Sequence, residues 1–301
     1  MSIIYSNVFQ QQVNKIEKYL KENNLKSMIL GISGGIDSTV VAALCHEVSK
    51  KTGIPLIGRS LPIKNKSDEF DTSVLVGKAF CDDFKVVNLK EQYDSMLNGI
   101  NINEKIGQTS IANGNIQARL RMIYLYNLAG IHKGIVMDTD NLTEHYLGFY
   151  TIHGDQGDLN PIGKLWKMQV YELANYIRNS YVEKIRKENL GSGNIITYSD
   201  KPKLTEQDYE WYESAICALN ESIHLTPTDG LGISNSDLEQ IGAKTYEDVD
   251  DILKMLIDNN GNVNTNEFIK KCNKYGTSVV EQVTKRFFNT SYKREKLPII
   301  I

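Results

Sequence analysis

The sequence predicts an α/β protein in which a parallel β-sheet is flanked by helices. Short apolar strand candidates alternate with helical stretches through the first half of the chain, a pattern typical of βαβ units. A segment rich in glycine and serine, residues 31–39, joins the first strand candidate to the next helix. After residue 165 the strand signals fade. We therefore expect one domain over 1–301, with an α/β core over 1–165 and a mostly helical covering part over 166–301.

Hydrophobic periodicity places the individual elements in order along the chain. Residues 9–23 read as an amphipathic helix, because Val13, Ile16 and Leu20 share one face. The strand candidates are 27–32, 54–60, 84–89 and 134–138. The remaining helix candidates are 38–50, 67–80, 112–130, 166–189, 205–222, 235–258 and 265–287.

Composition limits the class of protein. The chain of 301 residues is 41% hydrophobic and 24% charged with a net charge of −3, so no overall basic field draws it to nucleic acid. Its four cysteines lie far apart without a C-x-x-C pair, which indicates reduced thiols rather than a zinc ribbon. No run approaches the ~20 apolar residues that a membrane span needs, and we see no signal peptide. We expect a cytoplasmic protein without nucleic-acid or membrane partners.

The most informative segment is GISGGIDST at residues 31–39. Glycines at a strand-to-helix turn let the backbone approach an anion closely, and the N–H groups of the helix N-terminus attract phosphate. No Gly-Lys-Ser/Thr ends the segment, so it is not a Walker A loop. A simple glycine-rich turn with a serine cap is the plainer alternative, but two glycines, two serines and an aspartate coincide here with the right flanks.

Three further segments carry candidate chemistry. Asp140 and Glu144 follow the last strand candidate four residues apart, and on a helix they would share one face; such carboxylates suit a hard divalent cation. On the helix 112–130, Arg119 and Arg121 point about 200° apart and are not expected to do the same job. Arg119 shares a face with Asn115, where a guanidinium is able to clamp a carboxylate or phosphate; two surface arginines are the alternative. The tail over 285–298 interleaves basic and aromatic residues, which suits a nucleotide or a solvated helix end.

Taken together, these segments resemble the ammonia-dependent NAD synthetases, members of the ATP pyrophosphatase (PP-loop) class. The loop at 31–39 carries the class signature, and GNIQARLRM at 114–122 resembles a motif of that family. The resemblance continues through the run from Thr139-Asp140 to Gly154-Asp155. Its last motifs are Pro227-Thr228, Leu231 to Ser234, Lys293-Arg294 and Pro298.

The resemblance implies a Rossmann-like fold similar to the adenine nucleotide alpha hydrolases. It also implies a ligase that converts nicotinic acid adenine dinucleotide (deamido-NAD) to NAD through an acyl-adenylate. ATP is the co-substrate, AMP and pyrophosphate are released, and Mg²⁺ is required. Nothing in the chain resembles a glutamine-hydrolysing domain, so we expect ammonia as the nitrogen donor. Members of the family are homodimers, and we expect a homodimer here.

The family's site residues carry over onto matching positions of this chain. Catalytic roles fall to Asp37, Ser33 and Lys167, and Mg²⁺ ligation to Asp37 and Glu144. The resemblance assigns ATP contacts to Gly31, Ile32, Ser33, Gly34, Gly35, Ile36, Asp37, Ser38, Thr139, Lys167 and Thr228. It assigns deamido-NAD contacts to Arg119, Asp158, Tyr292 and Lys293.

Four positions depart from the family pattern. Asp138 stands where many members have Gly, Ile152 where a substrate-binding Lys is common, Tyr292 where a His precedes the Lys, and Ser60 where an Arg is usual. Two other interpretations remain open: a tRNA-modifying enzyme of the same ATP-cleaving class, and a non-catalytic nucleotide-binding relative.

Overall fold

A computed structural model describes residues 3–104, 110–190, 204–228 and 236–294. The strands are β1 (Met28–Gly31), β2 (Leu56–Ser60), β3 (Asp83–Val86) and β4 (Ile135–Val136). The helices up to β4 are α1 (Tyr5–Glu22), α2 (Ile36–Thr52), α3 (Ser67–Phe80), α4 (Lys90–Glu104) and α5 (Ser110–His132). Those after it are α6 (Leu142–Leu147), α7 (Lys167–Leu190), α8 (Glu206–His224), α9 (Asp237–Ile241), α10 (Tyr246–Asp258), α11 (Asn266–Cys272), α12 (Thr277–Asn289) and a short 3-10 helix, Ser291–Arg294.

The four strands form one parallel sheet in the order β3-β2-β1-β4. Met28 pairs with Leu56 of β2 on one side of β1 and with Ile135 of β4 on the other. The strand order reverses between β1 and β4, and ligands of open α/β sheets bind beyond the carboxyl ends of strands at such a switch point. The predicted parallel α/β fold is confirmed, and both segments singled out from the sequence leave the sheet at this point.

Side chains of β1 alternate between the two faces of the sheet, as the period of a strand requires. Met28 and Leu30 lie in a large core with α1, α2, α7 and α8, whereas Ile29 lies in a smaller core with α4 and α5. A third core joins α6 to the C-terminal helices α9–α12 around Leu147, which is fully buried. The C-terminal helices are therefore held beside the segment that follows β4.

Two helix predictions were wrong in the same way. The stretch predicted as one helix over 235–258 is two helices, because Gly242 adopts a left-handed conformation (φ 68°) and Thr245 caps the next helix. The stretch over 265–287 is also two helices, because α11 ends at Cys272 and α12 begins after Gly276, whose φ is 88°. Helix α4 was not predicted at all. None of the described helices is long and apolar enough to span a membrane.

Candidate active site

A cavity of about 420 Å³ opens at the carboxyl ends of β1 and β4. It is lined by the loop after β1, the first turn of α2, the segment after β4, the start of α7 and Thr226 to Thr228. Of the residues to which the sequence assigned ATP or metal contacts, it brings together Gly31, Ile32, Ser33, Gly35, Ile36, Asp37, Ser38, Thr139, Glu144, Lys167 and Thr228. Gly34, in the same loop, does not line the cavity; it packs against α3.

The loop after β1 is held by its own hydroxyl groups. Ser33 Oγ lies 2.9 Å from Ser38 Oγ and accepts a hydrogen bond from the Gly35 N–H at 3.2 Å. Ser38 Oγ in turn donates to the Gly35 carbonyl at 3.0 Å. Helix α2 begins at Ile36, so its first N–H groups and the positive end of its dipole face the cavity. This arrangement suits an anion such as a phosphate.

Three charged side chains, those of Asp37, Glu144 and Lys167, meet beside this loop. The Lys167 ammonium, 3% exposed, donates to Asp37 Oδ2 at 2.5 Å and to Glu144 Oε1 at 2.9 Å. Asn141 Nδ2 donates to Asp37 Oδ1 at 2.8 Å. The three charged residues come from α2, α6 and α7, so the arrangement exists only because those helices pack at the carboxyl edge of the sheet.

The position of Glu144 is fixed by a helix cap rather than by a shared helix face. Helix α6 begins only at Leu142, so Asp140 lies before it, and the expectation that Asp140 and Glu144 share a helix face was wrong. Asn141 accepts from the Glu144 N–H while the Glu144 carboxylate accepts from the Asn141 N–H, a capping box. The cap leaves the other carboxylate oxygen of Glu144 directed at Lys167.

The Asp37–Glu144 pair fits a divalent metal ion. A single nitrogen reaches both carboxylates, so one cation is able to bridge them. In the described part of the chain, no group of three or more His, Cys, Asp or Glu side chains could hold a metal by itself. Mg²⁺ is usually held by one or two carboxylates together with waters and substrate phosphates, and this pair offers that donor set.

A second acidic group lies deeper, under the loop 154–158. Asp138 accepts from the N–H of Asp140 at 2.7 Å and from that of Gly157 at 3.1 Å, and so ties the end of β4 to the loop. Burial raises the pKa of Asp138 to about 6 and that of Asp155 to about 7. Burial and the neighbouring carboxylates also raise the pKa of Asp140 well above its ordinary value. The sequence analysis named Asp138, Asp140 and Asp155 separately, but it did not show that the three carboxyl groups are buried near one another.

Replacing Asp155 with Asn is expected to stabilise the protein in a pH-dependent way. The raised pKa means that the fold favours the neutral carboxyl, so the stability contributed by this group is full below pH ~4 and is lost as the pH rises to about 7. Asparagine stays neutral and keeps an oxygen for the Thr151 N–H. The gain in unfolding free energy should grow by about 1 kcal/mol per pH unit over that window.

Urea denaturation of Asp155→Asn at pH 4.5, 6 and 8 measures this gain. Asp71→Asn, which changes an exposed carboxylate on α3, is the control. A difference from wild type that stays constant across the three pH values would contradict the electrostatic explanation.

The two arginines of α5 have different surroundings, as their spacing predicted. Arg121 lines the cavity, where its guanidinium donates to the Leu61 carbonyl at 3.1 Å and to Asn65 Oδ1 at 3.3 Å. Arg119 is exposed and donates to the Ile152 carbonyl at 3.1 Å. The cation that faces the cavity from α5 is therefore Arg121, to which no role was assigned from the sequence.

The tail reaches the cavity through Lys293. Its ammonium donates to the carbonyls of Gly148 (2.8 Å) and Tyr150, and the Tyr150 hydroxyl donates back to the Lys293 carbonyl at 2.5 Å. The 3-10 helix is thereby fastened to the segment after β4. The motifs at 231–234 and Pro298 lie outside the described residues.

The residues predicted to contact a dinucleotide are not gathered in one place. Lys293 lines the cavity, whereas Arg119 and Asp158 are exposed, and Asp158 accepts from the Tyr126 hydroxyl at 2.9 Å. Tyr292 is 51% exposed. Cavity residues to which the sequence assigned no contact include Arg59, Asn65, Glu69, Tyr150, Gln240 and Arg286. Glu69 accepts from Thr228 Oγ1 at 2.5 Å, a pairing across 159 residues that no local signal reveals.

Comparison with known sequences identifies related proteins. Residues 8–190 match the family model described as NAD synthase. An NH(3)-dependent NAD(+) synthetase of Finegoldia magna is 30% identical over 269 residues, which are 89% of this chain and 90% of that protein. One of Lactobacillus gasseri is 37% identical over 171 residues. That match covers 53% of this chain and only 61% of the relative's own length.

Comparison with solved structures gives the same fold. The NMN synthetase of Francisella tularensis superposes with a TM-score of 0.71 at 23% identity, and the match covers 99% of each chain. At this identity the likeness concerns the fold, including the helices after residue 165.

Proposed function

Because the chain belongs to the NAD synthase family, we propose that it uses ATP to activate the nicotinate carboxylate of deamido-NAD and then amidates it with ammonia. The carboxylate oxygen attacks the α-phosphorus of ATP, pyrophosphate leaves, and an acyl-adenylate forms. Ammonia then attacks the acyl carbon, AMP leaves, and one proton is released. The meeting of the phosphate-type loop with the Asp37–Glu144–Lys167 cluster in one cavity is the observation that carries this proposal.

The residues of the chain act mainly by positioning and by charge. The N–H groups at the start of α2 bind the departing pyrophosphate and stabilise the charge that develops on it. Ser33 and Ser38 keep that loop in one conformation through their mutual contact, and Thr139 and Thr228 contribute further ATP contacts. Asp37 and Glu144 would hold Mg²⁺, which supplies charge neutralisation for the pyrophosphate when bound.

One assay tests the proposed reaction. The purified chain is incubated with ATP, Mg²⁺, deamido-NAD and either ammonium or glutamine, and NAD, AMP and pyrophosphate are measured. We expect all three products with ammonium and little with glutamine. Equal turnover with glutamine, or ATP cleavage that does not depend on the nicotinate acceptor, would overturn the proposal. Family membership and the retained carboxylates favour it over a tRNA-modifying or a non-catalytic relative.

A mononucleotide acceptor is the second candidate substrate. Ile152 presents an apolar side chain where the family resemblance places a substrate-binding Lys, so this position offers no cation to a second nucleotide. Arg119, which donates to the Ile152 carbonyl at 3.1 Å, keeps its charge, and the nicotinate reaction itself is unchanged. The same assay with nicotinic acid mononucleotide decides between the two: a higher kcat/KM for the mononucleotide would assign this chain to the smaller acceptor.

We also propose that the chain forms a homodimer through the outer face of α5. Arg119, Ile123 and Tyr126 are spaced four and three residues apart and so share that face, where Ile123 is 63% and Tyr126 41% exposed. Exposed apolar residues next to a predicted substrate contact suggest that a second copy covers this face. The dinucleotide residues that lie outside the cavity would then belong to a site completed between two copies.

Introducing a charge on this face should produce a monomer. Ile123→Glu would bring a carboxylate into the interface, where removing it from water costs several kcal/mol and an i,i+4 contact with Arg119 returns only about 0.2–0.5 kcal/mol, so light scattering coupled to size-exclusion chromatography should give half the wild-type mass. Val182→Glu on α7, where Val182 is 42% exposed, is the matched control and should remain dimeric. A wild-type monomer, or a dimeric Ile123→Glu variant, would contradict this interface.

A further inference from the structure

The Lys167 ammonium lies where a metal bridging Asp37 and Glu144 would also have to lie. Its distances of 2.5 Å and 2.9 Å are those of two charge-assisted hydrogen bonds. The exposed fractions are 3% for Lys167, 14% for Asp37 and 17% for Glu144, so water screens this contact little. One cation of the protein's own is therefore already bound to both carboxylates.

We propose that Lys167 is the internal counter-cation of the Asp37–Glu144 pair and that it makes divalent-metal binding depend on the nucleotide. The inference rests on the proposed metal assignment of these two carboxylates. A metal that binds alone must displace the ammonium, which then gives up its two charge-assisted hydrogen bonds to Asp37 and Glu144, and breaking a buried ion pair is costly. A metal that arrives with a triphosphate brings phosphate oxygens that the displaced ammonium is able to contact.

The local structure keeps Lys167 close to its place after such a displacement. Lys167 is the first residue of α7, and its N–H is held by Thr143 Oγ1 at 2.8 Å. The next N–H, that of Met168, donates to Asp250 Oδ2 at 3.1 Å. The main chain is thus fixed, and a change of rotamer in the four-carbon side chain would carry the displaced ammonium toward a phosphate. Metal alone would bind weakly, and metal with ATP would bind well.

Metal binding without nucleotide tests this inference. Lys167→Met removes the charge at nearly constant length, and titration of the protein with Mn²⁺ alone should give an affinity at least tenfold higher than that of wild type. The matched control is Lys164→Met, because Lys164 is exposed three residues earlier and its loss should leave the Mn²⁺ affinity unchanged. Equal Mn²⁺ affinity in Lys167→Met and wild type overturns the inference.

Thermal unfolding separates this role from ordinary structural support. Lys167→Met should unfold at a lower temperature than wild type without divalent ions, and millimolar Mg²⁺ should restore most of the loss, while wild type responds little. A loss that Mg²⁺ does not restore means that Lys167 only supports the fold, and it overturns the inference. Lys167→Gln retains a hydrogen-bond donor and should show a smaller loss with the same rescue, which provides the measurement if the Met variant does not fold.

The outcome is independent of the assay for NAD formation. Wild-type protein that makes NAD although Lys167→Met gains no metal affinity refutes the counter-cation role alone. If Lys167→Met binds Mn²⁺ more tightly but the wild-type protein makes no NAD, the counter-cation role is supported and only the proposed reaction is refuted.

Discussion

Replacing Asp37 with Asn should abolish pyrophosphate release while the fold persists. Asp37 lies in the first turn of α2, accepts from Asn141 and Lys167, and is one of the two proposed metal ligands. Asparagine keeps the shape and one acceptor oxygen but removes the negative charge that a hard divalent cation requires. We expect a loss of about 1,000-fold or more in turnover, equivalent to several kcal/mol of transition-state stabilisation.

Two measurements separate chemistry from folding in this variant. Pyrophosphate release gives the activity, and circular dichroism with thermal unfolding shows whether the protein is intact. The loss of a carboxylate at a helix N-terminus costs about 0.3–1 kcal/mol, and Lys167 keeps Glu144 as an anionic partner when Asp37 becomes neutral. Asp71→Asn makes the same chemical change at an exposed position of α3 and should leave turnover unchanged. An Asp37→Asn enzyme within tenfold of wild type would refute the metal assignment.

The fold could be predicted from the sequence wherever the signal was local. Apolar strand candidates, helical periodicity and the glycine-rich turn act within a few residues, and together they placed the loop after β1 at the edge of a parallel sheet. The helix breaks at Gly242 and Gly276 were missed because apolar periodicity continues on both sides of each glycine. Gly242, at φ 68°, ends α9 as its left-handed C-cap, whereas α11 ends at Cys272 and Gly276, at φ 88°, is the N-cap of α12.

Only part of the site could be predicted from the sequence, because the contacts that build it join residues that are far apart along the chain. The Lys167–Asp37 ion pair spans 130 residues and the Thr228–Glu69 contact spans 159. Helical spacing showed that Arg119 and Arg121 face apart, but the packing of α5 against β1 and β4, which brings Arg121 to the Leu61 carbonyl, decides that Arg121 is the one in the cavity. Likewise, only the packing shows that Lys167 binds the two carboxylates already.

Replacing Gly34 with Ala should disrupt the loop far more than the same change at the next residue. Gly34 has φ +89°, and a Cβ there would lie 2.5 Å from the Glu69 carbonyl oxygen and 2.8 Å from the Ser73 nitrogen. Both are main-chain atoms of α3, so neither is able to turn aside. Gly35 has φ −66°, and the nearest atom to its Cβ would be Ser33 Oγ at 3.4 Å, an ordinary contact.

The expected cost of Gly34→Ala combines two terms. The left-handed conformation costs a residue with a side chain roughly 1–2 kcal/mol, and overpacking against α3 adds about 1–3 kcal/mol. We therefore expect a loss of about 2–5 kcal/mol in unfolding free energy, against less than about 1 kcal/mol for Gly35→Ala. If Gly34→Ala folds, displacement of the loop by about 1 Å should still lower ATP cleavage about 100-fold.

Denaturant unfolding and pyrophosphate release, measured on both alanine variants, make the comparison direct. The two positions are adjacent in the same loop and the chemical change is identical, so general effects of a new methyl group cancel. The difference between the two variants therefore reports the contact of the loop with α3. We expect this contact to set how closely α2 and its N–H groups approach the cavity. Equal stability of the two variants would mean that α3 yields to the added methyl group and that this contact does not position the loop.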